Sequence, residues 1–267
     1  MTLAPPTQPD HVLPPGSPAR RLLGAELLIV LGLSLGASGV GAVISFTDSL
    51  TQQKSLTQQV APLNSSLAPG RPWIDLAWQL YYIARGLMPV VLVGYLLVRE
   101  HTSLRVLGFD LRRKLSDLGR GAAVAAVIGG SGLALYLGSR AAGYNLTVVP
   151  SGLPHVWWRI PVLIASACQN AVLEEVVVLG YLIRRLDQRG WSGPAVLVTS
   201  AAVRGSYHLY QGVGGLVGNM VMGAVFVLLY RRWGRVMPLV AAHALIDTVA
   251  FVGYALLAGH VGWLPTG

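Results

Sequence analysis

A chain of 267 residues with 53% apolar and only 12% charged side chains is poorly equipped for water, since a soluble domain carries about 25% charge. The apolar residues fall in long blocks rather than in short water-facing periods, and they lack the alternation a membrane barrel needs. The net charge of +9 is not gathered with aromatic residues on one soluble face, which excludes nucleic acid as a partner and leaves the lipid bilayer.

Residues 1–19 contain six prolines and almost no charge, and they read as a disordered cytosolic tail. A helical span takes about 20 mostly apolar residues, and the first such run, 22–46, follows Arg20-Arg21. It is too long for the apolar core of a signal peptide. Within it, Gly36-Ala37-Ser38-Gly39 resembles the rhomboid nucleophile motif, but in a chain with 32 glycines the bland reading, helix packing, is preferred. Residues 48–72 are polar and hold a tandem repeat, Ser49-Leu-Thr-Gln-Gln53 then Ser55-Leu-Thr-Gln-Gln59. They are expected to form an outer loop without catalytic content.

A second span is expected at 75–97. The stretch 99–118 mixes Leu104, Val106, Leu107, Phe109 and Leu111 with charges, as an interfacial amphipathic helix does. A third span covers 119–138. Trp157 and Trp158 stand where an aromatic belt belongs. The last four spans, 158–183, 193–210, 212–230 and 236–258, turn near Gly190 and Gly234. In the sixth, Gly215, Asn219 and Gly223 recur on one face, a spacing that favours close helix contact. Residues 259–267 form an outer tail.

The fold class is therefore all-α: a single transmembrane domain over 20–258, a polytopic bundle of about seven spans. Fourteen Lys and Arg residues lie on the side of 20–21, 99–120, 184–189 and 231–235, against four on the other (Lys54, Arg71, Arg140, Arg159). That bias puts the N-terminus in the cytosol and the C-terminus outside; the expected location is a bacterial plasma membrane. The single cysteine, Cys168, excludes an internal disulfide and is read as core packing.

Ionisable groups at membrane depth carry the chemistry. Each ionised Asp or Arg costs roughly 2.5–3.5 kcal/mol at a helix centre, while one aliphatic residue returns only about 0.3–0.6 kcal/mol. Yet the last four spans hold Glu174, Glu175, Arg204, His208, His243 and Asp247. Asn170 with Glu174, Arg204 with His208, and His243 with Asp247 are each four apart and share a helix face. Counting from Gly190 at 1.5 Å per residue brings Glu174 and His208 level, with His243 near the same depth. Such a cluster can activate water, a carboxylate shuttling protons and imidazoles holding water, a metal or an oxyanion. The bland alternative is an interhelical polar clamp in which Glu175 pairs with Arg204.

Glu174-Glu175, the His208-Leu-Tyr-Gln-Gly212 run and His243-Ala-Leu-Ile-Asp247 resemble the three motifs of the CAAX-processing and bacteriocin-processing (CPBP, or Abi) intramembrane proteases. The resemblance covers about 165–255. It implies an endopeptidase in which Glu174 activates water, Glu175 supports it and His208 positions the water or binds metal. His243 and Asp247 would line the oxyanion side or add ligands. The resemblance further implies a membrane-associated protein or peptide substrate. Any divalent metal, such as zinc, would be held by Glu174, His208 and His243. Arg204 and Asn170 are supporting residues. The family's usual arginine four residues after the second Glu is Leu179 here, its usual Phe four before the first His is Arg204, and its usual final Asn is Asp247. The inference is that the cation has crossed to the neighbouring helix. Neither a His-Glu-x-x-His helix nor the Gly-x-Gly-Asp of aspartyl intramembrane proteases is present. A bacteriocin-immunity factor or membrane scaffold on the same fold is the other reading. A proton-coupled transporter would show repeat symmetry, which the two halves lack.

Overall fold

The computed structural model describes residues 12–262 and Leu264. The chain enters through a short extended segment in which Leu13 N–H donates to the Gln188 carbonyl at 2.9 Å. So the expected tail is docked from about residue 12 onward, while residues 1–11 lie outside the described residues. Helix α1, Pro18–Gly32, starts where Ser17 caps it by accepting from Arg20 N–H at 3.2 Å, with proline at the first helical position where no N–H is needed. It is followed by α2, Leu35–Thr51, at an angle of 51°. The break has a local cause. Ser34 leaves helical geometry and its hydroxyl donates back to the Val30 carbonyl at 2.6 Å. A Cβ on Gly36 would lie 2.7 Å from the Leu31 carbonyl oxygen, so only glycine lets the chain fold that closely.

The segment 52–71 holds strand β1, Val60–Pro62, and then come α3, Pro72–Gly86, and α4, Met88–Arg99. Helix α5, Lys114–Ala141, leads to β2, Thr147–Val149, which pairs with β1 in parallel. A strand pair was not expected in this region. Helix α6, Arg159–Glu174, continues through a π-helical stretch, Glu175–Leu182, into α7, Ile183–Gln188. Helix α8, Gly193–Ser206, α9, Val213–Trp233, and α10, Met237–Leu257, complete the bundle.

Five helical runs are long and apolar enough to cross a membrane, or six with the bent α1–α2 pair, among the described residues. Of the seven expected spans, the fifth, 193–210, is the one that falls short. Its helix stops at Ser206 and a 3₁₀ turn, Leu209–Gln211, finishes it. Near that end Gly205 lets α8 approach α9 closely, since a Cβ there would lie 2.9 Å from the Leu216 carbonyl oxygen. Nor is 99–118 one amphipathic helix. After α4 the chain makes a 3₁₀ turn over Leu104–Leu107 and reverses at Gly108, whose φ is +70°. Leu107 is buried there, where a Cβ on Gly180 would meet it at 2.8 Å.

Helix α10 packs along α5 and α6, and α8 packs along α9. The π-helical stretch runs through the centre, and all eight of its residues are buried. Its Val176-Val177-Val178 run is β-branched and crowds an α-helical backbone. The wider turn then presents side chains to α4, α8 and α9 at once. Such π-turns recur at functional sites, and this one begins at Glu175.

Candidate active site

Glu174 ends the regular part of α6, and Glu175 opens the π-helical stretch. The Glu175 side chain is fully buried, and that of Glu174 is 11% exposed, so one carboxylate is sealed and the other faces an opening. Arg204 on α8 is fully buried beside both. Its Nη2 donates to Glu175 Oε1 at 2.5 Å, and its Nη1 lies 3.5 Å from Glu174 Oε2. The ring of Phe226 on α9 lies beneath the guanidinium, 5.2 Å from centroid to Cζ. Gly223 on α9 allows this approach, because a Cβ there would be 3.1 Å from Arg204 Cδ. The Gly215–Gly223 stripe expected to give close helix contact thus packs against the residues that carry Arg204 and His208.

From α10, His243 Nδ1 lies 2.7 Å from the same Glu175 Oε1 that Arg204 holds. A carboxylate accepts, so Nδ1 carries a hydrogen. His243 Nε2 then points along the helix to Asp247 Oδ2 at 3.5 Å, and the Asp247 side chain is hydrogen-bonded to Asn170 of α6. His208 lies just past the end of α8, its Nδ1 3.1 Å from the Arg204 carbonyl. A carbonyl can only accept, so Nδ1–H is the donor and Nε2 is free for a ligand or water. The His208 ring stands against that of Tyr207, whose hydroxyl reaches Glu174. The expected residues Glu174, Glu175, His243, Asp247, Arg204, Asn170 and His208 therefore meet in one cluster.

Tyr207 was not among them. Its hydroxyl donates to Glu174 Oε2 at 2.8 Å, and its ring stands 4.8 Å from that of His208. The residue before the first motif histidine drew no attention in the sequence because tyrosine is an ordinary core residue. The one available signal was a hydroxyl one position from a histidine already placed at the depth of Glu174.

For a metal, the three donor atoms that lie within 4.8 Å of one another among the described residues belong to Glu174, Glu175 and His243. His208, expected as a ligand, is not in that set; Glu175 takes its place. The donor types suit zinc, but the place of the cation is taken. Glu175 Oε1 is already shared by a guanidinium and an imidazole N–H. The buried Nε and Nη1 of Arg204, which have no hydrogen-bond partner, are donors that repel a dication. As arranged, these residues do not fit a divalent ion.

Ser38 of the rhomboid-like tetrapeptide is exposed on α2. Gly39 faces Ser206 of α8, as packing requires.

Residues 156–249 match the family described as Rce1-like, "Type II CAAX prenyl endopeptidase Rce1-like", in agreement with the resemblance carried by the three motifs. The matched segment contains every residue of the cluster. No curated protein and no solved structure matches the chain.

Proposed function

We propose that this integral membrane protein, Rce1-like over residues 156–249, is an intramembrane endopeptidase in which Glu174 is the base that activates water. The observation that carries the reading is the unequal treatment of two adjacent buried carboxylates. Glu175 is clamped by Arg204 and His243. Glu174 keeps an open side, held on one oxygen by Tyr207.

In this reading a water is held between Glu174 and the free Nε2 of His208. Glu174 takes one proton as the water oxygen bonds to the scissile carbonyl carbon, and the carbonyl π electrons move onto its oxygen. When the C–N bond breaks, Glu174 returns the proton to the leaving nitrogen. His243, doubly protonated, would keep Nδ1–H on Glu175 and offer Nε2–H to the developing oxyanion, with Asp247 and Asn170 fixing the ring. Arg204 supplies the fixed positive charge that a metal would otherwise bring, so that two carboxylates can coexist at membrane depth.

The test uses the full chain in lipid vesicles with a single-span peptide substrate. Glu174→Gln nearly preserves shape but is a poor base, so cleavage should fall about 10²- to 10⁴-fold. Chelation should leave the parent's rate unchanged. Undiminished cleavage by Glu174→Gln would remove the base. A chelation-sensitive rate would replace Arg204 by a metal.

A further inference from the structure

On the face opposite the arginine-rich ends lies a polar cavity of about 570 Å³, to which both copies of the tandem repeat contribute. Ser49 and Gln52 of the first copy and Gln58 and Gln59 of the second all line it. Gln59 is buried, and its Nε2 donates to the carbonyls of Ser49 and Lys54, each at 2.9 Å, which locks the two copies into one wall.

The wall offers amide chemistry. Gln52 donates to Asp48 at 3.1 Å, which leaves its Oε1 as an acceptor. Gln58 Oε1 accepts from Ser55 N–H at 3.2 Å, which leaves its Nε2 as a donor. Strand β1 adds a second pair. Gln59 and Leu63 make the outer bonds of the β1–β2 ladder, and parallel pairing alternates, so Ala61 faces β2 while Val60 N–H and C=O turn away from it. Val60, Ala61 and Pro62 line the cavity. Asp48 and Lys54, both in the lining, cancel in charge, which disfavours an ionic ligand. Tyr210 forms part of the wall and lies two residues beyond His208 of the cluster.

We propose that this cavity binds an uncharged, extended segment of the substrate flanking the scissile bond, adding it as a strand to the free edge of β1. The inference rests on the endopeptidase reading and names where that enzyme grips its substrate. Alternating donors and acceptors without net charge match a peptide backbone, and Tyr210 joins the grip to the catalytic cluster.

The experiment uses the full chain in vesicles with Glu174→Gln, so that nothing is cleaved, and a photocrosslinking side chain at Ser45, an exposed position in the lining. The probes are two single-span peptides with the same apolar segment. One has a Gly/Ser/Asn/Gln flank of about eight residues on this face, long enough at roughly 3.3 Å per residue to cross the site. The other is trimmed. Only the long flank should be captured. Val60→Pro removes an N–H the ladder does not use and should weaken capture by about 2- to 12-fold, the range for one neutral hydrogen bond. Gln52→Leu should weaken it similarly without touching the strand. Equal capture of both peptides, or capture of lipid instead, would overturn the proposal. Wild-type cleavage separates the two readings. A captured but uncleaved long peptide retains the cavity and removes the peptidase. Cleavage of both peptides at one rate, with no capture, does the reverse.

Discussion

Arg204 and Arg235 each stand between two carboxylates, and the contrast between them separates a staple from a site. Arg235 closes the arginine-rich end of the bundle. Its Nε and Nη2 reach Asp117 at 3.2 and 2.7 Å, and its Nη1 and Nη2 reach Asp110 at 3.2 and 3.0 Å. Nη2 also meets the Asp110 carbonyl at 3.1 Å, so every nitrogen is used. Arg204, fully buried, makes one hydrogen bond, and its Nε and Nη1 and the Oε2 of Glu175 have none among the described residues. A buried polar network that is fully satisfied rigidifies a fold, while one left partly open is costly. Chains retain such costs chiefly where chemistry needs them. A region can thus be classed by its unmade hydrogen bonds as much as by its charges.

The sharpest break of that contrast exchanges stability for activity at matched positions. Glu174→Gln should lose about 10²- to 10⁴-fold in cleavage and keep its thermal midpoint in detergent. Asp117→Asn should lose roughly 1–3 kcal/mol of stability, the cost of a broken charged hydrogen bond, and keep its rate per folded molecule. If both variants lose the same property, the two clusters are of one kind. Next in size is Arg204→Leu, which leaves two buried carboxylates uncompensated and should cost about 3–5 kcal/mol. Adding Glu175→Leu should return much of that loss, because removing both partners of a buried pair is often nearly neutral. Thermal midpoints of the single and double variants decide it.

The Arg204 side of this contrast was legible in the sequence, and the reason is physical. Charges inside apolar segments stand out because each is expensive there, and helical spacing is regular enough to align Glu174, Arg204, His208 and His243 by counting. The 3₁₀ and π departures were not legible. Glu175–Leu182 reads as plain helix, since three valines signal crowding without saying how it is relieved. The end of α8 at Ser206 carries no local signal, and the approach of Gly205 to the Leu216 carbonyl is a tertiary contact. The Asp110–Arg235–Asp117 staple was missed for the same reason. Arg235 lies more than a hundred residues from both carboxylates in sequence, and at a water-facing end such residues look like ordinary surface charge. The β1–β2 pair is three residues long in each strand, too short for any periodicity to show.

A smaller effect is expected at Tyr207, which touches the site without being titrated in the reaction. Tyr207→Phe removes the donor to Glu174 Oε2 and keeps the ring against His208. A hydrogen bond to a charged group contributes about 1.5–3 kcal/mol, so a loss in kcat of about 10- to 100-fold is expected if the bond is worth most in the transition state. KM for the single-span peptide should stay unchanged. A variant that matches the parent in kcat would show that Glu174 needs no orienting hydroxyl, and would move Tyr207 from the site to the core.

The smallest effect belongs to the staple, and pH reads it. The Asp110 carboxyl is held below its ordinary value first by the hydrogen bond from Arg235, and then by that from the Arg112 backbone N–H, at 2.9 Å. In the unfolded chain an Asp titrates near about 3.9, so the folded state binds this proton less readily. Stability from the pair is therefore complete above the unfolded value and is lost as pH falls through that value toward the lower, folded one. Asp110→Asn cannot ionise. Its thermal midpoint should lie slightly below the parent's at neutral pH and converge on it between about pH 4 and 2. Asp117 keeps Arg235 paired in the variant, and ion pairs near the surface contribute only about 0–1 kcal/mol, so the gap should be small. A gap that stays constant down to acid pH would mean that the difference between the two proteins does not come from ionisation of Asp110.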